Sequence, residues 1–237
     1  MDIDHTAPAG RFAALTTAHV ADACLRAGVP VRCAPAAVRP VRAGWRLAGR
    51  VRPARHTGSV DVFLEAIDRA SEGDVLVVDD GGRTDRACVG DLVVREAQAA
   101  GLAGLLVWGA HRDTADLTAV GLPVFSVGVT PTGPLELGPA PAGALDSARV
   151  GPWTVGPGDL VLADDDGALF VPADRAGELL DLAGSIRDTE RRQADRIAAG
   201  ESLRTQVGFG DYLAARAADP TLTFRAHLRA VGGAIEE

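Results

Sequence analysis

The sequence predicts an α/β protein with a parallel βαβ core, a β-hairpin region and a long C-terminal helix. Two short apolar runs, "GDVLVVDD" (73–80) and "GLLVW" (104–108), have the composition of strands that are buried on both faces. The stretch between them, "GDLVVREAQAAG" (90–101), shows helical spacing and ends in glycine. A highly charged helical pattern over residues 174–199 predicts the long C-terminal helix.

The elements before this core are a helix, a strand region and a second helix. Residues 11–28 carry apolar side chains at helical spacing, and Thr16 or Thr17 is placed to cap the helix. The stretch "WRLAGRVRPARH" (45–56) alternates apolar and polar residues and predicts strands. The stretch "SVDVFLEAIDRAS" (59–71) predicts a helix that begins near its serine.

The elements after the core are mostly short. They are a helix near 114–119, a strand at 121–128, a Pro/Gly-rich loop at 130–143, β segments at 144–150, 153–155, 159–163 and 168–171, a helix near 210–218 and a loose tail. The acidic run "ADDDG" (163–167) lacks the longer ligand series and distal glutamate of a calcium loop. It therefore predicts the tight turn of a hairpin.

The composition excludes several classes of protein. The 237 residues suit one domain over 1–237, with an N-terminal helical part (1–30), a β/α core (31–172) and C-terminal helices (173–237). A net charge of −8 does not favour nucleic-acid binding, and no apolar stretch approaches a membrane span. Three scattered cysteines favour reduced thiols in a cytoplasmic protein.

The βαβ unit predicts a ligand site at one edge of the sheet. Ligands of open parallel sheets bind beyond the carboxyl ends of the strands, and the helix that begins at 90–93 directs free backbone N–H groups to that edge. Arg112 and Asp113 follow the second strand and are expected on the same side. The alternative is structural: a helix cap at Asp91 and a solvated surface ion pair worth at most ~1 kcal/mol.

The side chains at this edge suit a charged ligand and a metal ion. The guanidinium of Arg112 can hold a carboxylate through two parallel hydrogen bonds. The carboxylate of Asp113 can ligate Mg²⁺ or Mn²⁺, hard cations that keep several waters. His111 and His56 are candidates for proton transfer, although a lone histidine is more often a packing or surface residue.

The sequence resembles the RraA-like family. The resemblance runs from about residue 19 to Gly200 and is carried by "GDVLVVDDGG", "VGDLVVREAQAAGLAGLLVWGAHRD", "LPVFSVG" and "VGPGDLVLADDDGALFVP". That family includes 4-hydroxy-4-methyl-2-oxoglutarate aldolases, oxaloacetate decarboxylases and regulators of ribonuclease E activity. The resemblance implies a swivelling β/β/α fold and a homotrimer or homohexamer, with the C-terminal helices at a subunit interface.

The resemblance also implies roles for individual residues. The amides of Gly90, Asp91, Leu92 and Val93 match the loop that holds the pyruvyl part of a substrate, Arg112 matches the substrate-binding arginine, and Asp113 matches the aspartate that binds Mg²⁺ or Mn²⁺. Glu190, on the charged helix, matches an acidic residue that reaches a neighbouring subunit's site. The chain departs from the family's pattern at Trp108, at His111 and at Gly58-Ser59-Val60-Asp61, which are expected to reshape the pocket.

The resulting hypothesis is a metal-dependent carbon–carbon lyase that cleaves a 2-oxo acid and releases pyruvate. Charge that develops on the carbonyl oxygen is stabilised by the cation and by Arg112, and Asp91 assists proton transfer through water. The chain contains no lysine, which excludes a Schiff-base aldolase. The alternatives are a non-catalytic regulator that binds a ribonuclease, and an RraA-like metal enzyme whose different acid substrate is selected by Trp108 and His111.

Overall fold

The computed structural model describes residues 7–134 and 136–231. The helices are α1 (Ala7–Phe12), α2 (Thr17–Arg26), α3 (Asp61–Asp68), α4 (Asp91–Ala99), α5 (Thr114–Val120), α6 (Ala176–Ala198), α7 (Leu203–Gln206), α8 (Phe209–Ala218) and α9 (Phe224–Val231). The strands are β1 (Arg32–Cys33), β2 (Arg39–Pro40), β3 (Leu47–Arg55), β4 (Val75–Asp79), β5 (Ala87–Val89), β6 (Gly104–His111), β7 (Val124–Val129), β8 (Ala148–Val150), β9 (Trp153–Val155), β10 (Asp159–Asp164) and β11 (Gly167–Pro172).

Within the described residues, nine strands form one curled, mixed sheet. Its order is β1-β11-β10-β3-β4-β6-β7-β2, with β5 beside β6. The strands from β3 to β7 pair in parallel with one another, whereas β1, β2, β10 and β11 form antiparallel pairs. The sheet curls so that β2, at one end, reaches the turn between β10 and β11 near the other end, where Arg39 Nη1 donates to the backbone oxygen of Asp165 at 3.0 Å.

Three apolar clusters hold the sheet and helices together. The inside of the curl is filled by large side chains from several strands, including Leu106, Phe125 and Phe170. A second cluster joins the sheet to α3, α4 and α5, and a third joins it to α1, α2 and α6. Burial of both faces explains why β4 and the first part of β6 read as unbroken apolar runs.

The predicted βαβ unit and long C-terminal helix are confirmed. Strands β4 and β6 pair in parallel from Val75–Gly104 to Asp79–Trp108, with α4 as the connection. The charged pattern forms α6, which packs on α2. No helix in the described part of the chain is both long and apolar enough to cross a bilayer.

The predicted hairpin and helix cap are also confirmed. Asp164 in β10 pairs with Gly167 in β11, which leaves a two-residue turn. The buried Asp164 carboxylate accepts hydrogen bonds from the Thr17 backbone N–H at 2.8 Å and its hydroxyl at 2.7 Å. Thr16 caps α2, since its hydroxyl accepts from the His19 N–H. The acidic run at 163–167 therefore has a structural role.

The end of the second core strand differs from the prediction. The sequence predicts that this strand ends at Trp108, but β6 continues to His111 because β5, which was not predicted, pairs with it at Ala87–Ala110 and Val89–His111. The three-residue β5 is too short to leave a periodic signal in the sequence. As a result, His111 lies inside a strand and Arg112 is the first residue beyond it.

A strand boundary and the C-terminal tail also differ from the predictions. The segment predicted as a strand at 144–150 is extended only from Ala148. Part of the predicted loose tail forms α9, whose buried Leu228 and aromatic Phe224 pack toward α8. Residues 232–237 of that predicted tail lie outside the described residues.

Candidate active site

A pocket of about 370 Å³ opens where β3, β5 and β6 end and α4 begins. Its size falls within the range of small-molecule sites. The lining residues come from four separate stretches of the chain: His56, Gly58, Ser59, Val60, Ala87, Cys88, Val89, Gly90, Asp91, Leu92, Val93, Arg112, Asp113, Pro134 and Leu137. The pocket thus collects all six residues at 90–93 and 112–113 that the sequence predicts as site residues.

Arg112 and Asp113 are fixed at the end of β6 by backbone contacts. The Arg112 N–H donates to the Val89 backbone oxygen at 3.0 Å, which continues the β5–β6 ladder by one residue. Asp113 has φ +61°, the one positive φ of a non-glycine residue in the described ranges. Such a backbone costs of order 1–3 kcal/mol and is concentrated at functional sites.

The Asp113 side chain points toward the start of α4. Asp113 occupies the N-cap position of α5, yet its carboxylate makes no capping hydrogen bond to that helix. Its Oδ2 instead accepts a long hydrogen bond from the Asp91 N–H at 3.4 Å and lies 3.4 Å from Arg112 Nε. Both side chains stay partly exposed, which leaves them accessible to a ligand.

Two glycines make room for this pair. A Cβ atom at Gly90 would lie 2.5 Å from Asp113 Oδ2 and 3.2 Å from Arg112 Nε. A Cβ atom at Gly133 would lie 2.7 Å from Arg112 Nη1. Glycine leaves space at these positions, where a side chain would displace the Asp113 carboxylate or the end of the Arg112 side chain. The backbone of Gly90 (φ −135°) itself suits any residue.

The first turn of α4 presents its N-terminus to the same pocket. The amides of Asp91, Leu92 and Val93 have no intrahelical acceptor because they belong to the first turn. Asp91 Oδ2 accepts from Arg95 Nε at 3.1 Å. Val93 is buried, whereas Leu92 is 77% exposed at the pocket mouth. An anion is favoured at this position by the helix dipole.

The sequence profile of the RraA-like family (Aldolase/RraA) matches residues 17–170, which include every strand from β1 to β10 and the whole pocket. The chain belongs to the RraA-like family. The predicted family and the α/β fold are thereby confirmed.

Proteins with different names resemble this chain. A putative 4-hydroxy-4-methyl-2-oxoglutarate aldolase of Halalkalibacterium halodurans is 30% identical over 72% of this chain and 78% of its own. Protein DlpA of Legionella pneumophila is 33% identical over 58% of this chain, but the match spans only 22% of DlpA. The crystal structure of an unusual member of the RNase ES inhibitor RraA protein family from Streptomyces coelicolor superposes with a TM-score of 0.69, at 25% identity, over 83% of this chain and 98% of that one.

Three residues that the sequence predicts for this RraA-like site lie outside the pocket lining, namely His111, Trp108 and Glu190. His111 is buried, with Nδ1 2.7 Å from the Ser126 hydroxyl and Nε2 3.0 Å from the Thr114 hydroxyl. Burial lowers the pKa of His111. A hydrogen bond to the Gly128 backbone and the charge of Asp113 act in the opposite direction but are weaker. The Trp108 ring covers Gly82, where a Cβ atom would lie 2.6 Å from it.

Glu190 lies on α6 and contacts α2. Its Oε2 atom is 3.1 Å from His19 Nε2. Half of the Glu190 side chain remains exposed, so this contact leaves the carboxylate open to a second subunit. The predicted role of Glu190 at a neighbouring subunit's site therefore stays a prediction.

A buried cluster beside the pocket was missed by sequence reasoning. His56 Nδ1 lies 2.9 Å from Asp80 Oδ1, and donor atoms of His56, Asp80 and Cys88 lie within 4.8 Å of one another. Burial raises the pKa of the Cys88 thiol, and nearby Asp80 raises it further. The sequence does place His56 and Asp80 directly after neighbouring strands. Nothing in it links these two residues to Cys88, because β5, which contains that cysteine, was not predicted.

Proposed function

We propose that this RraA-like chain is a divalent-metal-dependent carbon–carbon lyase that acts on a 2-oxo acid and releases pyruvate. The reaction is of the 4-hydroxy-4-methyl-2-oxoglutarate aldolase type, the oxaloacetate decarboxylase type, or both. The observation that carries the proposal is the meeting of Arg112, Asp113 and the first turn of α4 in one pocket of about 370 Å³. The resemblance to a relative named as a putative aldolase supports it.

The residues present fit a hard cation at Asp113. The donor is a single, partly exposed carboxylate, which suits Mg²⁺ or Mn²⁺ because these ions retain water and take few protein ligands. The space that Gly90 leaves open beside Asp113 Oδ2 keeps this carboxylate from being covered by a side chain. A cation bound there supplies Lewis-acid stabilisation of the negative charge that develops on the substrate's carbonyl oxygen.

Arg112 and the α4 amides bind the acid group of the substrate. The planar guanidinium provides paired donors for a carboxylate, and Gly133 leaves room beside Nη1. The Leu92 and Val93 amides add donors and the positive end of the helix dipole. These groups accelerate the reaction to the extent that they stabilise the developing enolate charge more than the bound substrate.

Asp91 is the residue that we assign to proton transfer. Its carboxylate lies at the pocket wall, with Oδ2 held by Arg95 Nε at 3.1 Å. That contact orients the side chain and leaves Oδ1 to take a proton, through water, from the C4 hydroxyl of an aldol substrate as the C3–C4 bond breaks, and to return it to C3 of the enolate, which becomes pyruvate. In decarboxylation of oxaloacetate, which has no such hydroxyl, CO2 leaves and a proton from water is passed to C3. Because Asp91 and Arg95 are four residues apart in α4, the helix alone places their side chains next to each other.

The proposal is tested by measuring pyruvate release from oxaloacetate and from 4-hydroxy-4-methyl-2-oxoglutarate, with and without a chelator. We expect release that a chelator abolishes and Mg²⁺ or Mn²⁺ restores. Asp113→Asn should lower kcat/KM by at least about 100-fold, because it removes the charge that holds the cation. Asp116→Asn, an exposed neighbour in α5, is the matched control and should retain activity. Unchanged turnover in Asp113→Asn would refute the assignment.

A non-catalytic regulator that binds a ribonuclease is the second candidate. It is favoured by the similarity to the RNase ES inhibitor family member at 98% coverage of that chain. Binding to a ribonuclease with no turnover of either oxo acid, at any metal concentration, would favour this function. Metal-dependent turnover of another acid in a panel of 2-oxo and hydroxy acids would favour an RraA-like enzyme with a different substrate.

A further inference from the structure

We propose that His56, Asp80 and Cys88 form a second metal site, specific for a cation of the Zn²⁺ type and separate from the Asp113 carboxylate. The three residues come from different elements: His56 follows β3, Asp80 follows β4 and Cys88 lies in β5. One donor atom from each lies within 4.8 Å of the other two, and all three residues are buried.

The donor set determines which cation fits. An imidazole nitrogen, a thiolate sulfur and a carboxylate oxygen are the ligands that Zn²⁺ takes in proteins, whereas Mg²⁺ and Ca²⁺ prefer oxygen alone. Three protein ligands leave a fourth position of the tetrahedron open. The site therefore differs in ion preference from Asp113, which offers only carboxylate oxygen.

The Asp80 carboxylate is incompletely satisfied by the surrounding protein. Its side chain is 1% exposed, with Oδ1 2.9 Å from His56 Nδ1 and 3.6 Å from Arg86 Nη2. The buried Oδ2 atom has no hydrogen-bond partner among the residues that the structure describes. An unpaired buried carboxylate oxygen is costly, and a bound cation removes that cost.

The three side chains are held in place before any ion arrives. The His56 ring stacks on Phe63, with centroids 4.9 Å apart and planes at 14°. The β6 backbone packs directly on the other two residues, since a Cβ atom at Gly109 would lie 2.9 Å from Asp80 Cβ and 3.4 Å from Cys88 Sγ. Such preorganisation lowers the entropy that metal binding must overcome.

Two pockets give access to the cluster. His56 and Cys88 line the pocket that contains Asp113, and His56 and Asp80 line a second pocket of about 450 Å³. On binding, the Sγ–H bond of Cys88 breaks, its proton passes to solvent and an Sγ–metal bond forms, without oxidation or reduction. Because the metal displaces the thiol proton, the affinity for metal should increase with pH.

The test uses Co²⁺, whose thiolate complexes absorb in the near ultraviolet, added to the full chain in the Cys24→Ser/Cys33→Ser background. That background leaves Cys88 as the one thiol of the chain. We expect a sulfur-to-cobalt absorption band that saturates at one ion per chain, that Zn²⁺ removes and that excess Mg²⁺ leaves in place. His56→Gln and Asp80→Asn should each weaken Co²⁺ binding by about tenfold or more.

Asp113→Asn is the matched control and should keep the band, which separates this site from the proposed lyase metal. Far-ultraviolet circular dichroism checks that each variant is folded, and if the double-serine background is not, the band is followed in wild type and in Cys88→Ser. Absence of the band in the folded protein would overturn the proposal. A band that His56→Gln and Asp80→Asn leave unchanged would also overturn it, because Cys88 alone would then be the ligand.

Discussion

Asp113 combines an unfavourable backbone with an unusual side-chain direction. Its left-handed φ of +61° turns the carboxylate away from the helix that it begins and toward Gly90 and Asp91. The next residue back, Arg112, is anchored by a β-ladder hydrogen bond to Val89. A strand end thus presents a carboxylate and a guanidinium as neighbours, although adjacent residues of a strand would point to opposite faces.

Arg112→Lys tests whether the planar guanidinium is required. We expect kcat/KM for pyruvate release to fall by about 100-fold, since an ammonium group cannot make two parallel hydrogen bonds to a carboxylate. The free energy of unfolding should change by no more than about 0.5 kcal/mol, because the side chain is half exposed. Arg69→Lys, at an exposed i,i+4 pair at the C-terminal end of α3, is the control. Equal turnover in both variants would contradict the assigned role.

His111 should make the stability of the protein depend on pH. Because burial lowers its pKa below the ordinary value of 6.5, the unfolded chain binds a proton more readily than the folded one. The contribution to stability is complete above about pH 6.5 and is lost as the pH falls toward the folded-state pKa. Urea unfolding between about pH 7 and pH 5 should show this loss in wild type and a smaller loss in His111→Gln. An equal loss of stability in wild type and in His111→Gln would contradict this prediction.

At the scale of elements, the site depends on how β5, β6 and the start of α4 meet. The short β5 extends β6 to His111, and Gly90 then turns the chain directly from β5 into α4. This connection brings the helix N-terminus against the end of β6, so that the Asp91 N–H reaches Asp113 Oδ2. A side chain at the turn would displace the Asp113 carboxylate from this approach.

Gly90→Ala tests that close approach. The added Cβ, 2.5 Å from Asp113 Oδ2, should displace the carboxylate and lower kcat/KM by about 100-fold, the typical effect of a displacement of about 1 Å at an active site. Gly184→Ala in α6 is the control, because its Cβ would meet open space and should stabilise the helix by about 0.5–1 kcal/mol. Full activity in Gly90→Ala would show that the contact is dispensable.

At the scale of the whole molecule, the pocket is incompletely enclosed by one chain. Large apolar side chains stand at its mouth: Val60 is 49% exposed, Leu92 77% and Leu137 79%. A cluster of this kind marks a surface that another protein or a ligand covers. Together with the partly exposed Glu190 on α6, it agrees with the prediction that subunits of a homo-oligomer complete the site.

Sedimentation equilibrium tests the predicted assembly. We expect a trimer or a hexamer, and Leu137→Asp should shift the protein toward the monomer because it places a charge in a contact that would otherwise be apolar. The single domain over 1–237 remains a prediction at the same scale. A monomer at every concentration of the wild-type protein would contradict the assembly.

The accuracy of the sequence predictions follows from how local each signal is. The strand at Val75–Asp79, the helix at Asp91–Ala99 and the hairpin turn after Asp164 are set by periodicity, capping and turn residues that are adjacent in the chain. β5 was missed because pairing with β6 stabilises it and three residues leave no periodic pattern. α9 does carry apolar side chains at helical spacing (Phe224, Leu228 and Val231), a signal in the sequence that the prediction of a loose tail did not use. The roles of His111 and Trp108 could not be predicted, because burial and hydrogen-bond partners depend on distant segments.

The resemblance of its motifs predicted the family, and local patterns predicted the βαβ core. Those patterns, with the rule that parallel strands place their carboxyl ends at one edge, also predicted that Arg112 and Asp113 lie opposite the start of α4. The folded chain was needed to show that Asp113 turns toward Gly90, that His111 is enclosed, and that His56, Asp80 and Cys88 meet. The separation of such side chains is set by strand order and register, which bring His56 together with residues 24 and 32 positions further along the chain.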